Sequence, residues 1–143
     1  MRLFLDANVL FAAAYSPEGR SAGLFVLAGA GACSLSSSRH AIDECFRNLA
    51  LKAPQTVAAL GRLLELLEVV PEAGPGVVAW AARHGLPAND APILAAASAA
   101  GVDFLVTGDR THFGHLFGTT VGRVTVVPPS DALVRVLEGR PER

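Results

Sequence analysis

Short apolar runs that stop at an acid set the tightest constraint on this chain. Leu3-Phe4-Leu5 runs directly into Asp6, and Phe104-Leu105-Val106-Thr107 is followed by Gly108 and Asp109. Such runs are too short for helices and suit buried strands. A carboxylate among apolar neighbours costs several kcal/mol to desolvate unless something compensates. In a chain that is 51% hydrophobic and only 17% charged, acids at these points call for a chemical reason. Two more acids sit in mostly apolar stretches: Glu44 in Ile42-Asp43-Glu44-Cys45-Phe46, and Asp90 in Asn89-Asp90-Ala91-Pro92-Ile93. Two carboxylates about 4 Å apart repel by roughly 4 kcal/mol at an effective dielectric near 20. A divalent cation is the simplest compensation, so the quartet reads first as a metal site.

The rest of the chain alternates short strands with helices. Strands are expected over 2–5, 33–35, 69–70, 104–107 and 123–127. Helical patterns fill 7–15, 21–30, a stretch capped by Ser36-Ser37-Ser38 and running to about Leu51, 54–67, 77–83, 87–100 and 130–137. This alternation predicts one domain, residues 1–143, with a three-layer α/β/α architecture. Its central sheet should be mostly parallel, with four to five short strands. Ligands of such sheets bind outside the carboxyl ends of the strands, where Asp6 and Asp109 fall. Asp103 precedes its strand and belongs to the opposite edge, and Asp131 reads as a helix-start acid.

A chain of 143 residues buries roughly two thirds of its unfolded surface. No run approaches the ~20 apolar residues of a membrane span, and Asp6 comes too early for a signal peptide. A soluble, cytoplasmic protein is expected. Cys33 and Cys45 fit buried free thiols in that compartment. The net charge of -1 gives no global attraction to a polyanion. Among twelve basic residues only Lys52 is a lysine, so a nucleic-acid partner would need a local arginine patch. The two apolar helical stretches at 21–30 and 57–67 leave little polar surface, and suit deep burial or contact with a second subunit.

Four segments, in order, resemble the motifs of the PIN-domain nucleases. Leu5-Asp6-Ala7-Asn8-Val9-Leu10 after a first strand resembles the family's opening, and so does a mid-chain helix bearing Glu44 after a serine-rich turn. Asn89-Asp90-Ala91-Pro92-Ile93-Leu94 resembles the third acidic motif, and Leu105-Val106-Thr107-Gly108-Asp109-Arg110 the fourth. The resemblance spans nearly the whole chain, at the size of the VapC-like toxins of toxin–antitoxin pairs. It implies a metal-dependent endoribonuclease in which Asp6, Glu44, Asp90 and Asp109 are the catalytic, metal-binding carboxylates. Asn8 and Thr107 would support them. Oxygen donors of this kind suit one or two Mg²⁺ or Mn²⁺ ions, and the implied reaction is attack of an activated water on an RNA phosphodiester. The implied products carry 5′-phosphate and 3′-hydroxyl ends. The implied partners are RNA and an antitoxin, and the apolar helices add a homodimer.

Some alternatives stay open in the sequence. Pro92 either follows the start of a helix, leaving Asp90 to cap it, or kinks a helix begun near Pro87. Asp43 and Glu44 point about 100° apart on a helix, so only one faces a pocket. Arg110 and His112 are phosphate contacts or solvated loop residues. Zinc is disfavoured, since the histidines and cysteines lack ligand spacing. Trp80 and Phe113 read as packing residues. Two other functions compete: a catalytically silent PIN-like binding module, and a phosphoryl-transfer or phosphatase domain. Asn8 stands where a haloacid-dehalogenase-type phosphatase needs an acid, and no lysine follows Asp109 as a receiver domain requires.

Overall fold

The computed structural model describes residues 1–139. Its six strands are β1 (Arg2–Leu5), β2 (Ser34–Ser38), β3 (Leu67–Val70), β4 (Phe104–Val106), β5 (Thr120–Val121) and β6 (Val124–Val127). They form one sheet in the order β3-β2-β1-β4-β6-β5, parallel throughout except for β5 against β6. Eight α-helices flank it: α1 (Ala7–Tyr15), α2 (Arg20–Gly29), α3 (Arg39–Lys52), α4 (Val57–Leu63), α5 (Pro75–Ala82), α6 (Ala91–Ala100), α7 (Arg110–Phe113) and α8 (Pro129–Glu138). Helix α1 packs on α2 and α3, α5 on α6, and α2 on α8. No helix among the described residues is long and apolar enough to cross a membrane.

The expected α/β architecture is present, with six strands in place of four to five. The extra strand, β5, folds back on β6 through Gly122 (φ 53°) and Arg123 (φ 74°). Two consecutive left-handed residues match the twist of a two-residue hairpin. A Cβ at position 122 would stand 2.6 Å from Trp80 Cζ2, so the ring leaves room for glycine alone.

Three segments differ from the sequence expectation, each for a local reason. The serines at 36–38 lie inside β2 and are buried. Ser36 Oγ donates to the Leu3 carbonyl at 3.0 Å and Ser37 Oγ to that of Leu5 at 2.7 Å, so their hydroxyls are satisfied across the sheet. Ser38 still caps α3, accepting from Ala41 N. The apolar stretch 57–67 is not one helix: α4 ends at Leu63, a 3₁₀ turn covers Leu64–Leu66, and β3 begins at Leu67. Residues 87–90 form a turn, and α6 starts only at Ala91. Pro92 therefore lies in the first turn, where its missing N–H leaves no bond unmade. Cys33 and Cys45 are buried free thiols.

The chain lays β2 and β3 on one side of β1, then returns to place β4 and β6 on the other. The order reverses between β1 and β4. A parallel sheet opens a crevice beyond the carboxyl ends of its strands at such a point.

Candidate metal centre

Leu5 of β1 pairs with Val106 of β4, so Asp6 and Thr107 leave the sheet side by side. Asp6 N donates to the Val106 carbonyl at 3.0 Å. The Asp6 carboxylate is 4% exposed and accepts three hydrogen bonds. Oδ1 takes Ala7 N at 2.7 Å, and Oδ2 takes Thr107 Oγ1 at 2.8 Å and Asn8 Nδ2 at 3.1 Å. The two expected supports also close the loop that follows β4. Asn8 Oδ1 accepts from Gly108 N at 2.7 Å, and Thr107 Oγ1 accepts from Asp109 N at 3.2 Å. Burial pushes the Asp6 pKa up to about 6; the Thr107 and Ala7 bonds oppose this, while Asp90 and Glu44 add to it.

Asp90 occupies the N-cap position of α6 without making a side-chain cap bond. Its carboxylate is thus free of the capping duty that the sequence left open. The side chain is 14% exposed. Burial raises its pKa, the adjacent His112 counters this, and Asp109 and Glu44 raise it further. Asp109 follows β4 and caps the short α7, with Oδ1 accepting from His112 N at 3.1 Å. His112 Nδ1 then lies 2.8 Å from Asp109 Oδ2 and 3.0 Å from Asp90 Oδ2. One ligand atom from each of Asp90, Asp109 and His112 falls within 4.8 Å of the others.

Asp6 and Glu44 stand outside that tight trio, close enough for their charges to be felt. Glu44, half-buried on α3, accepts from Asn89 Nδ2 at 3.1 Å. It lines a cavity of about 490 Å³ together with Asn8 and Asp109. Asp43 faces solvent instead and pairs with Arg39 one turn earlier, at 3.9 Å. Arg110 is exposed on α7 and borders a neighbouring cavity, whereas His112 turns towards the carboxylates. Phe113 is fully buried, and Trp80 packs against the core.

Two contacts of the centre have no signal in the sequence. Asn89, adjacent to Asp90, orients Glu44, and its carbonyl meets His40 Nε2 at 3.0 Å. The contact of His112 with two carboxylates depends on where α6 begins, which residues 109–112 do not encode.

The donors suit a hard divalent cation. Opposite ligands of an octahedral ion bound at about 2.1 Å stand roughly 4.2 Å apart, within the spread of the Asp90, Asp109 and His112 donors. Carboxylate oxygens, here those of Asp90 and Asp109, suit Mn²⁺ as well as Mg²⁺.

A search among curated proteins returns no match. Among solved structures, the chain resembles PAE2754 from Pyrobaculum aerophilum, with a TM-score of 0.69 and 21% identity over 96% of each chain. VapBC2 from Rickettsia felis, solved bound to a DNA fragment from its promoter, gives a TM-score of 0.63 and 18% identity, covering 90% of this chain and 98% of that one. VapC20 of Mycobacterium tuberculosis, described as a sarcin-ricin loop cleaving toxin, gives 0.56 and 18%, covering 76% and 91%. At these identities the likeness establishes the fold. The sequence itself matches the PIN domain family over residues 2–111, in which all four acids lie. The chain belongs to the PIN-domain family.

Proposed function

We propose that this protein is a metal-dependent endoribonuclease whose centre is built from Asp6, Glu44, Asp90 and Asp109. The observation that carries the reading is the meeting of Asp90 and Asp109 at the order reversal of the sheet, beside the buried Asp6. Acids drawn from four different parts of the chain are costly to assemble without a cation. Family membership adds the chemistry such a cradle performs.

Asp90 and Asp109 would hold the ion, with Asp6 completing the negative wall beside them. Asn8 and Thr107 fix the Asp6 carboxylate through Oδ2, so its free lone pairs have one orientation. Asn89 does the same for Glu44. A bound Mg²⁺ or Mn²⁺, one or two per site, supplies Lewis acidity and an acidified water at the phosphodiester. Arg110, exposed beside the cavity, meets the phosphate of the substrate. His112, whose Nδ1 stands within hydrogen-bond distance of both Asp90 and Asp109, positions the two carboxylates relative to one another.

The relatives support a toxin role, since VapC20 is described as a toxin and VapBC2 as a complex on promoter DNA. By this reading the chain acts in the cytoplasm, with an antitoxin as partner. Exposed Val26, Leu51 and Leu66 provide apolar surface for that partner and for a homodimer.

Incubating RNA with the purified chain and Mg²⁺ or Mn²⁺ tests the activity. Cleavage to 5′-phosphate ends is expected, with Asp90→Asn lowering kcat at least about a hundredfold. Cleavage that persists in EDTA, or that Asp90→Asn leaves intact, rejects the mechanism.

A further inference from the structure

Asn89 touches helix α3 at two points one turn apart. Its backbone carbonyl lies 3.0 Å from Nε2 of His40, and its side-chain amide donates to Glu44 Oε1 at 3.1 Å. His40 and Glu44 are four residues apart, so they share one face of α3, about 6 Å apart along the axis. Arg39 and Asp43 make the parallel pair on the solvent side. A carbonyl can only accept, so Nε2 of His40 carries the proton of this bond.

The His40 end of the contact is firmly held. Glu72 Oε2 accepts from His40 N at 3.1 Å and Ser38 Oγ from Ala41 N at 3.2 Å, which caps the first turn of α3 around the ring. The Asn89 end is an exposed residue of the 87–90 turn. That turn is closed only by local bonds, from Asp90 N and Ala91 N to the Pro87 carbonyl. Among the described residues, the two contacts of Asn89 are the only hydrogen bonds that join it to α3. Glu44 in turn accepts from Asn89 alone among those residues, and it lines the cavity it shares with Asp109. A free glutamate loses rotamer freedom when an ion fixes it. An amide already bonded to one oxygen selects the orientation beforehand.

We infer that His40 is a positioning residue of the metal centre. By holding the Asn89 carbonyl it sets the Asn89 amide against Glu44, and so aims that carboxylate at the ion. This rests on the metal-dependent reading and adds the part that orients Glu44. His40 bonds to none of the four acids among the described residues, so it acts through Asn89.

Calorimetric titration of the full-length chain with Mn²⁺, in the absence of RNA, tests this. His40→Ala should weaken Mn²⁺ binding about tenfold, the usual loss when the partner of a metal ligand is removed. His40→Gln, whose amide can donate to the same carbonyl, should recover most of that affinity. In an Asn89→Ala background, itself weakened, His40→Ala should cost less than about twofold more, because both act through one amide. The Tm of both His40 variants in EDTA should stay within about 5 °C of the unaltered chain, as befits one exposed hydrogen bond. Affinity untouched by His40→Ala, no recovery in His40→Gln, or a full further loss in the Asn89→Ala background overturns the role of His40. A larger fall of Tm in EDTA overturns it too, since the ring would then hold the fold and not the carboxylate. In each of these cases Mn²⁺ binding by the unaltered chain, lost in Asp90→Asn, keeps the metal centre. An unaltered chain that binds no Mn²⁺ overturns both.

Discussion

Asp6 does two things that usually exclude one another. It caps the start of α1 in the ordinary way, and it remains a buried carboxylate beside other acids. Thr107 and Asn8 make this tolerable by donating to the same oxygen, yet burial still dominates and lifts the pKa from 3.8 to about 6. The sign is the reverse of a salt-bridged aspartate. Between the unfolded and folded values the folded chain binds more protons, so stability falls as pH rises through that window. The whole shift is worth on the order of 3 kcal/mol at 1.36 kcal/mol per unit. About 1 kcal/mol of it lies between pH 5 and pH 7. Urea unfolding in EDTA should therefore find the protein more stable at pH 5 than at pH 7. Asp90, also shifted upward, adds in the same direction. Asp6→Asn should shrink the difference by about 1 kcal/mol; an unaltered pH dependence in that variant means that Asp6 is ionised in both states.

Elements reveal which parts of this geometry a sequence can announce. β1 and β4 were legible because an unbroken apolar run can only be a buried strand here, and each is followed closely by its acid. β2 was half hidden, since Ser36 and Ser37 look like a turn until a neighbouring strand supplies the carbonyls they bond. The start of α6 was ambiguous for a different reason. Pro92 is compatible with two helix starts, and only the turn at 87–90 selects the one that frees the Asp90 side chain. Glu44 came from resemblance alone, and the ion pair of Asp43 with Arg39 now gives its orientation a physical reason. The placement of α6 is open to a direct check. Pro92→Ala should change stability by less than about 1 kcal/mol, because a first-turn proline costs no hydrogen bond. Gly122→Val, by contrast, forces a branched side chain into left-handed backbone against Trp80 and should cost at least about 2 kcal/mol. A large gain from Pro92→Ala in thermal unfolding would mean that the helix extends back through Asp90.

At the scale of the molecule, the centre is a junction between elements far apart in the chain. Asp6 ends β1, Glu44 rides on α3, Asp90 precedes α6, and Asp109 joins β4 to α7. Nothing local brings position 6 to position 109; the β1–β4 pairing does, through Leu5 and Val106. Without a cation, that pairing must hold acids together against their repulsion, and the raised values of Asp6 and Asp90 record part of the strain. A cation that binds only the folded arrangement shifts the folding equilibrium by RT ln(1 + [M]/Kd), about 2.7 kcal/mol at a hundredfold excess over Kd. For a domain of this length that corresponds to a rise in Tm on the order of 10 °C. Differential scanning calorimetry at pH 7 in EDTA and in rising Mn²⁺ should show that increase. Asp90→Asn should largely abolish it, while the exposed Asp43→Asn should leave it intact. The effect should also shrink at pH 5, where protons compete for Asp6. A Tm that ignores Mn²⁺ at pH 7, in a chain that folds cooperatively, would mean that the four acids do not share an ion.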